Sequence, residues 1–168
     1  FKDVYNRLNV PVLIARSSKD LVNVTKLILP GVGSFDYAIM KLDESGMRKN
    51  IEDLVIDKKI PILGVCVGMQ MLARSSEEGK LKGLGWIDAT VKRFDSTNGT
   101  ILPHMGWKNV STKSCSGLFK NIQEDMKFYF LHEYYFDSFE KSELYPIVNA
   151  CTATPILQIL KNYDYYKS

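Results

Sequence analysis

The chain has 168 residues, of which 45% are hydrophobic and 24% are charged, and its formal net charge is +3. This length and composition are typical of one globular domain with a sizeable core. The small net charge and the scattered Lys and Arg residues argue against nucleic acid as a partner, and no apolar run approaches the length of a membrane span.

The cysteines and histidines restrict the chemistry further. Cys66, Cys115 and Cys151 are an odd number of cysteines at no metal-like spacing, and the chain has only two histidines, His104 and His132. The sequence therefore favours a reducing cytoplasm and predicts neither a metal site nor a cofactor. We expect no signal peptide ahead of the first strand.

The first half of the chain alternates between helix-like and strand-like segments. The predicted order is a helix with Phe1, Val4, Tyr5 and Leu8 on one face, a strand over residues 10–15, a short helix capped by Ser17 and Ser18, and a buried strand over residues 26–29. A helix from about Phe35, a break at Gly46, a helix with Met47, Ile51, Leu54 and Val55 on one face, and a buried strand over residues 60–65 follow. This order predicts an α/β fold with a parallel, helix-covered sheet.

After Gly79 the pattern changes to short runs separated by glycines, which favours antiparallel strands added to the parallel sheet. Strands are predicted over residues 86–94, 100–102, 107–111, 127–136 and 145–151. A short helix is expected over residues 118–122, and a closing helix over 156–163, where apolar residues recur at helical spacing. No repeat or low-complexity linker divides the chain, so we expect one domain over residues 1–168.

Cys66 occupies the most informative position. It follows a buried strand and precedes an apolar pattern at helical spacing, with Gly64 and Gly68 two residues away on each side. This is the nucleophile-elbow arrangement with sulfur in place of a hydroxyl, and a sharp turn of this kind exposes the nucleophile to a substrate. The alternative is an ordinary core cysteine on a strand–helix turn.

A second glycine-rich turn, residues 30–34, follows the preceding strand. Because ligands bind at the carboxyl ends of parallel strands, both turns are expected to face one pocket. Backbone N–H groups of Val32 or Gly33, and of Val67, could then form an oxyanion hole beside Cys66. Taken alone, the turn is better explained as a cap for the next helix through Ser34.

Three polar side chains remain as candidates. Gln70, one helical turn beyond Cys66, either hydrogen-bonds a polar substrate or fills a packing gap. A thiolate nucleophile needs a base, usually a histidine. His104 lies in a predicted Pro/Gly loop and His132 in an aromatic strand, and either could be a structural imidazole.

Five segments together resemble the glutaminase subunits of imidazole glycerol phosphate synthases, which are class I (triad) glutamine amidotransferases. They are PGVGSFDYA (30–38), GVCVGMQML (64–72), GLGWIDATVKRF (83–94), PHMGW (103–107) and FYFLHEYY (128–135). The second segment indicates the class, and the third and fourth are more specific to this subunit family.

The resemblance implies a flavodoxin-like, three-layer fold with a mixed, mainly parallel sheet. Cys66 would attack glutamine and release ammonia through a thioester, and the 30–34 turn would supply an oxyanion N–H after a partner-triggered peptide flip. Gln70, Glu133 and Tyr134 would hold the glutamine. Pro103, His104, Met105, Gly106 and Trp107 would face a (βα)₈ cyclase partner in a heterodimer, where the ammonia enters histidine biosynthesis.

The chain departs from the family in three ways. The family's first strand and its late His–Glu catalytic segment have no counterpart, so the base of the triad is unmatched. The third departure is at Glu133 and Lys108, which replace the family's usual residues. Either the printed chain leaves out the first strand and a mobile active-site segment, or the protein is a degenerate binding subunit. We favour the first, because losing an inner strand would leave buried backbone groups unpaired. A paralogous subunit that feeds a sugar amidotransferase for surface polysaccharide is the remaining alternative.

Overall fold

The computed structural model describes residues 1–95, 101–109, 111–112, 127–137, 148–149 and 159–161. The predicted helix over residues 118–122 lies outside these ranges, as do Cys115 and Cys151. None of the helices in this described part combines the length and the apolar character that crossing a bilayer requires.

The first half of the chain forms the predicted alternation, except for the strand predicted over residues 10–15. Its elements are helix α1 (Lys2–Arg7), a 3-10 helix (Ser18–Leu21), strand β1 (Leu27–Gly31), helix α2 (Phe35–Glu44), helix α3 (Arg48–Glu52), a π-helix (Asp53–Asp57), strand β2 (Ile62–Cys66) and helix α4 (Val67–Gln70). Local chemistry sets several boundaries. The Asp20 carboxylate accepts the backbone N–H of Ser17 at 2.9 Å, as expected of a capping residue. Gly46, at φ +67°, follows the end of α2.

Strands β1 and β2 form the parallel pair that carries both glycine-rich turns. Their register pairs Leu27 with Ile62 and Gly31 with Cys66, so both strands end at the same edge of the sheet. Strand β10 (Ile159–Lys161) pairs with the other edge of β2 in the antiparallel direction. The sheet is therefore mixed, with β2 at its centre.

The second half contributes three smaller sheets. Their strands are β3 (Ser75–Ser76), β4 (Thr90–Arg93), β5 (His104–Asn109), β6 (Ser111–Thr112), β7 (Lys127–His132), β8 (Tyr134–Asp137) and β9 (Val148–Asn149). The sheet orders are β3-β4-β8, β5-β7 and β6-β9. All pairings are antiparallel except that of β3 with β4. The predicted change to antiparallel pairing after Gly79 is thus confirmed, but most of these strands form sheets of their own. Among the described residues, only β10 is added to the β1–β2 sheet.

The core lies between the β1–β2 pair and the helices that cover it. Apolar residues from α2, α3, the π-helix and the chain after Cys66 pack into one cluster. Its most deeply buried members are Phe35, Ile39, Val55, Ile62, Met71, Leu72 and Ile87. Spacings of three and four residues within α2 and from Ile51 to Val55 place these side chains on the inner faces, as predicted.

Several sequence predictions were wrong. Residues 10–15 form no strand. Residues 86–89 precede the strand instead of belonging to it, and residues 101–102 are also irregular. The predicted loop around His104 is strand β5. The predicted strand over residues 127–136 is two strands that separate at Glu133.

The prediction of a closing helix over residues 156–163 was also wrong, because residues 159–161 form a strand. Its apolar residues fit a strand at the edge of β2 as well as they fit a helical face, and sheet pairing decides between the two.

Candidate active site

Cys66 is the last residue of β2, directly before α4, and its side chain is exposed. Its backbone has φ 55° and ψ −127°, a combination that residues with a β-carbon rarely adopt. A strained strand-to-helix turn is the defining feature of a nucleophile elbow. The backbone therefore supports the nucleophile interpretation over that of a core cysteine.

The glycines around the elbow allow the backbones to approach closely. A β-carbon at Gly68 would overlap the carbonyl oxygen of Leu29, and one at Gly31 would overlap the backbone nitrogen of Gly68. On the other side, a β-carbon at Gly64 would lie 2.5 Å from the α-carbon of Met69. These contacts seat the first turn of α4 against the end of β1 and fix the elbow beside the 30–34 turn.

The 30–34 turn differs slightly from its prediction, because β1 continues through Gly31 and the turn proper begins at Val32. Val32 is 79% exposed, and Gly33 has φ +83°. The Ser34 hydroxyl accepts the N–H of Tyr37 at 3.4 Å, so the turn also caps α2. Both roles predicted for this turn are therefore compatible in one structure.

Two carboxylates hold the start of α2, and the sequence analysis missed both. The Phe35 N–H donates to Glu78 Oε2 at 2.8 Å. In the reverse direction, the N–H groups of Lys80 and Leu81 each donate to Asp36 at 2.9 Å. These hydrogen bonds lower the pKa of Asp36, the Lys80 N–H contributing most. The sequence feature that could have drawn attention to Glu78 was the acidic pair Glu77-Glu78 close to Gly79.

Gln70, at the end of α4, is only 8% exposed. Its Oε1 atom is buried and has no hydrogen-bond partner among the described residues. A buried amide oxygen left in this state costs free energy unless another group donates to it. That cost argues against a simple packing role and leaves an acceptor available to a substrate.

The chain turns a corner at Glu133, where it leaves the β5–β7 sheet and enters the sheet that contains β8. The Glu133 carboxylate accepts Arg93 Nη2 at 2.8 Å, and its carbonyl oxygen accepts the Phe94 N–H at 2.9 Å. Partial burial raises the pKa of Tyr134, and the charge of Glu78 raises it further. Tyr134 therefore lies within electrostatic reach of the carboxylate that binds the start of α2.

His104 and His132 face each other across β5 and β7. His104 Nδ1 lies 3.2 Å from His132 Nε2, and His132 Nδ1 lies 3.0 Å from the carbonyl oxygen of Tyr134. Burial lowers the pKa of His132, and the hydrogen bond to Tyr134 only partly offsets this. His132 is thus engaged through both ring nitrogens, and His104 through Nδ1.

The opposite face of the β5–β7 pair is apolar and exposed. Met105 is registered with Leu131, and Trp107 with Tyr129, the latter two in edge-to-face contact at 5.5 Å between ring centroids. Trp107 is 67% exposed. We call these four residues the outer face. Within the predicted interface segment, Met105 and Trp107 point outward, whereas His104 is half-buried.

The described residues contain no group of three or more His, Cys, Asp or Glu side chains arranged to hold a metal ion. Around the elbow they offer a thiol, backbone N–H groups and amide or carboxylate side chains. This set is suited to acyl transfer at an amide, with the thiol as nucleophile and N–H groups for the oxyanion.

Comparison with known proteins gives a consistent result. Residues 5–164 match the family described as glutamine amidotransferase class-I. The chain is 51% identical over 140 residues to the imidazole glycerol phosphate synthase subunit HisH of Bdellovibrio bacteriovorus, which covers 82% of this chain and 69% of the relative. It is 46% identical over 152 residues to the subunit of the same name from Leptospira borgpetersenii, covering 89% of this chain and 74% of that one.

Among solved structures, a crystal structure titled as a glutamine amidotransferase matches with a TM-score of 0.61 and 18% identity. The match covers 83% of this chain and 68% of that one. At this identity the structural likeness supports the fold alone.

Proposed function

The chain belongs to the class I glutamine amidotransferase family, and from that premise we propose that it is the glutaminase subunit of an imidazole glycerol phosphate synthase. The observation that carries the chemistry is the strained, exposed Cys66 at the end of β2 beside a glycine-rich turn. The identity of 46–51% to two subunits of that name supports the choice of synthase.

We propose that Cys66 is the nucleophile. Its thiolate attacks the side-chain carbonyl carbon of glutamine, and the carbonyl oxygen becomes an oxyanion. When this tetrahedral species collapses, the C–N bond breaks and the nitrogen takes up the proton that the thiol lost, so that ammonia leaves and a glutamyl thioester remains. Water then attacks the thioester, releases glutamate and restores the thiol.

The oxyanion hole is proposed to combine the N–H of Val67 with an N–H from the turn at Val32 or Gly33. The register of Gly31 with Cys66 supports this, because it brings the two turns to one edge of the sheet. The positive φ of Gly33 supports a peptide that can change orientation, since only glycine adopts both orientations at little cost. A partner that favours one orientation would then switch hydrolysis on.

Gln70, Glu133 and Tyr134 are proposed to hold the glutamine. The strongest support is the buried Oε1 of Gln70, which has no hydrogen-bond partner among the described residues and is an acceptor that a substrate N–H would satisfy. For Glu133 and Tyr134 the support is their position at the corner where β7 ends and β8 begins. Both histidines are engaged with each other and with the Tyr134 carbonyl, so we assign neither of them as the base.

The proposed partner is a (βα)₈ cyclase-type subunit that receives the ammonia, and the outer face is the proposed contact surface. Ammonia released into water is protonated and lost, so hydrolysis should be coupled to a sealed path into the acceptor site. We also propose a cytoplasmic location, because the nucleophilic thiol must stay reduced. Residues 1–168 are treated as one domain within this proposal.

The test measures glutamate formation by the protein alone and by the protein with its cyclase-type partner and acceptor ligand. We expect slow hydrolysis alone, strong stimulation in the complex and no hydrolysis by Cys66→Ser in either condition. A matched control is Ser18→Ala, which removes an exposed hydroxyl outside the elbow. Activity that survives Cys66→Ser would refute the assignment of the nucleophile, and equal wild-type rates in both conditions would refute the coupling.

A further inference from the structure

The two histidines form a directed hydrogen-bond chain that ends on the backbone of Tyr134, one of the residues proposed to hold glutamine. A carbonyl oxygen can only accept, so His132 Nδ1 must carry the proton that it donates to Tyr134. In the neutral ring, Nε2 is then an acceptor, and the facing His104 Nδ1 must donate to it. The arrangement selects one tautomer for each ring.

Aromatic rings hold the pair in this geometry. Phe94 meets His132 edge-on with 5.2 Å between ring centroids, and Phe130 meets His104 in the same way at 5.7 Å. The two imidazoles are themselves nearly perpendicular, at 87°. Burial among these rings favours the neutral form of His132, which is the form that the hydrogen-bond chain requires.

The hydrogen-bond chain of the two histidines ends at the corner between strands β7 and β8. There the carbonyl oxygen of Tyr134 accepts from His132, while the carbonyl oxygen of Glu133 accepts from Phe94. The two hydrogen bonds hold the peptide groups on both sides of Tyr134, and therefore the backbone orientation of that residue at the corner.

We propose that His132, held in one tautomer by His104, is a positioning residue that orients the Tyr134 backbone for glutamine binding. This inference rests on the proposed function, because it takes glutamine as a ligand of Tyr134. His132 does not touch the reacting atoms. It affects KM by orienting the backbone at the corner between β7 and β8. This role depends on the proton carried by Nδ1.

The experiment separates the two ring nitrogens of His132 in the full chain with its cyclase-type partner. His132→Asn places an amide N–H near the position of Nδ1 and can still donate to Tyr134. His132→Gln places its amide near Nε2, where it can meet His104 but not replace the Nδ1 donor. His132→Phe keeps the ring and removes both nitrogens. Lys127→Gln, at the exposed start of β7, is the control.

We expect His132→Gln and His132→Phe to raise KM for glutamine roughly tenfold, the effect of losing one well-placed hydrogen bond, with a much smaller change in kcat. His132→Asn should stay within about threefold of the wild-type KM, and Lys127→Gln should match the wild type. Melting temperatures measured in parallel report any structural contribution. If His132 had a purely structural role, its variants would have lower melting temperatures, but His132→Asn and His132→Gln would have the same KM.

Equal KM values for the Asn and Gln variants, whether raised or unchanged, would overturn the proposal. If His132→Phe does not fold, the Asn and Gln pair still decides the question. A wild-type complex that neither hydrolyses nor binds glutamine would overturn the proposed function, and this inference with it. That failure is visible before any variant is made.

Discussion

Gly68 packs its α-carbon against the carbonyl oxygen of Leu29, leaving no room for a side chain between α4 and β1. The contact joins the elbow to the strand that leads into the second glycine-rich turn. Both halves of the proposed oxyanion hole therefore depend on one close approach of two backbones. The spacing of Gly64 and Gly68 around Cys66 predicted a sharp turn, and the structure adds the reason why Gly68 must be glycine.

Gly68→Ala should destabilise the fold and impair hydrolysis, because the new methyl group forces β1 and α4 apart. Overpacking of this kind costs about 1–3 kcal/mol. Thermal unfolding and the rate of glutamate formation measure the two effects. Gly85→Ala is the control for glycine replacement in open space, since a β-carbon there meets no atom within 4 Å, although its φ of +66° also carries strain. A fully active Gly68→Ala protein would show that the approach is not required.

Cys66→Gly should stabilise the protein while abolishing hydrolysis. A backbone conformation that is unfavourable for residues with a β-carbon costs about 1–3 kcal/mol, and glycine removes that cost. The exposed thiol contributes little buried area in return. Cys66→Ala is the matched control, because it removes the thiol but retains the β-carbon and hence the strain.

The comparison is made by denaturant unfolding, with a higher midpoint expected for the Gly variant than for the Ala variant. If Ala and Gly variants are equally stable, the elbow is not a site of stored backbone strain.

Asp36 should stabilise the fold at neutral pH through its hydrogen bonds to Lys80 and Leu81, and Asp36→Asn should therefore lower the melting temperature. In the folded protein the pKa of Asp36 lies below its ordinary value of 3.8. The carboxylate contribution is thus present above that value and is lost as the pH falls through the lower, folded pKa.

The difference in melting temperature between wild type and Asp36→Asn should shrink as the pH is lowered below 3.8. Asp43→Asn, on the same helix, controls for the loss of an exposed charge that pairs with Arg48. A difference that stays constant across this pH range would assign the effect to something other than the ionised carboxylate.

Sequence reasoning predicted the elements whose signals are local. The capped turn at Ser17, the break at Gly46 and the elbow at Cys66 depend on residues close in sequence, and each is confirmed in the structure. The α/β class follows from the alternation of these elements, and the family match and the structural likeness confirm the predicted fold.

Sequence reasoning failed where pairing between distant residues decides the structure. Residues 10–15 are apolar and prone to form a strand, but no strand pairs with them among the described residues. Residues 104–106 were predicted to be a loop because of Pro103 and Gly106, with a strand only from Trp107, yet β7 provides a partner strand along all of residues 104–109. Strand propensity is weaker than the presence or absence of a partner strand.

The same reason explains the missed site residues. Glu78 and Asp36 are separated by 42 positions, and each acts on a backbone N–H of the other's segment. The link between His104 and His132 likewise depends on the β5–β7 register. Nothing in the spacing of either pair predicts a contact.

The last prediction concerns the outer face and its proposed partner. Trp107 and Tyr129 form an exposed aromatic pair, with Met105 and Leu131 beside them on the same face. Large aromatic side chains are enriched among residues that dominate binding energy, because they bury much area with few rotatable bonds. Side chains alternate between the two faces of the β5–β7 pair. The aromatic pair therefore lies on one face, and the two hydrogen-bonded histidines lie on the other.

Trp107→Ala should weaken binding of the cyclase-type partner by about 2 kcal/mol, which raises Kd roughly 30-fold. Leu13→Ala is the control, because Leu13 is 65% exposed, close to the 67% of Trp107, but lies outside the outer face. Isothermal titration calorimetry of each variant with the partner measures the difference. Since the tryptophan is largely exposed in the free chain, its replacement should change the melting temperature little. An unchanged Kd for Trp107→Ala, together with the same value for Leu13→Ala, would move the interface away from the outer face.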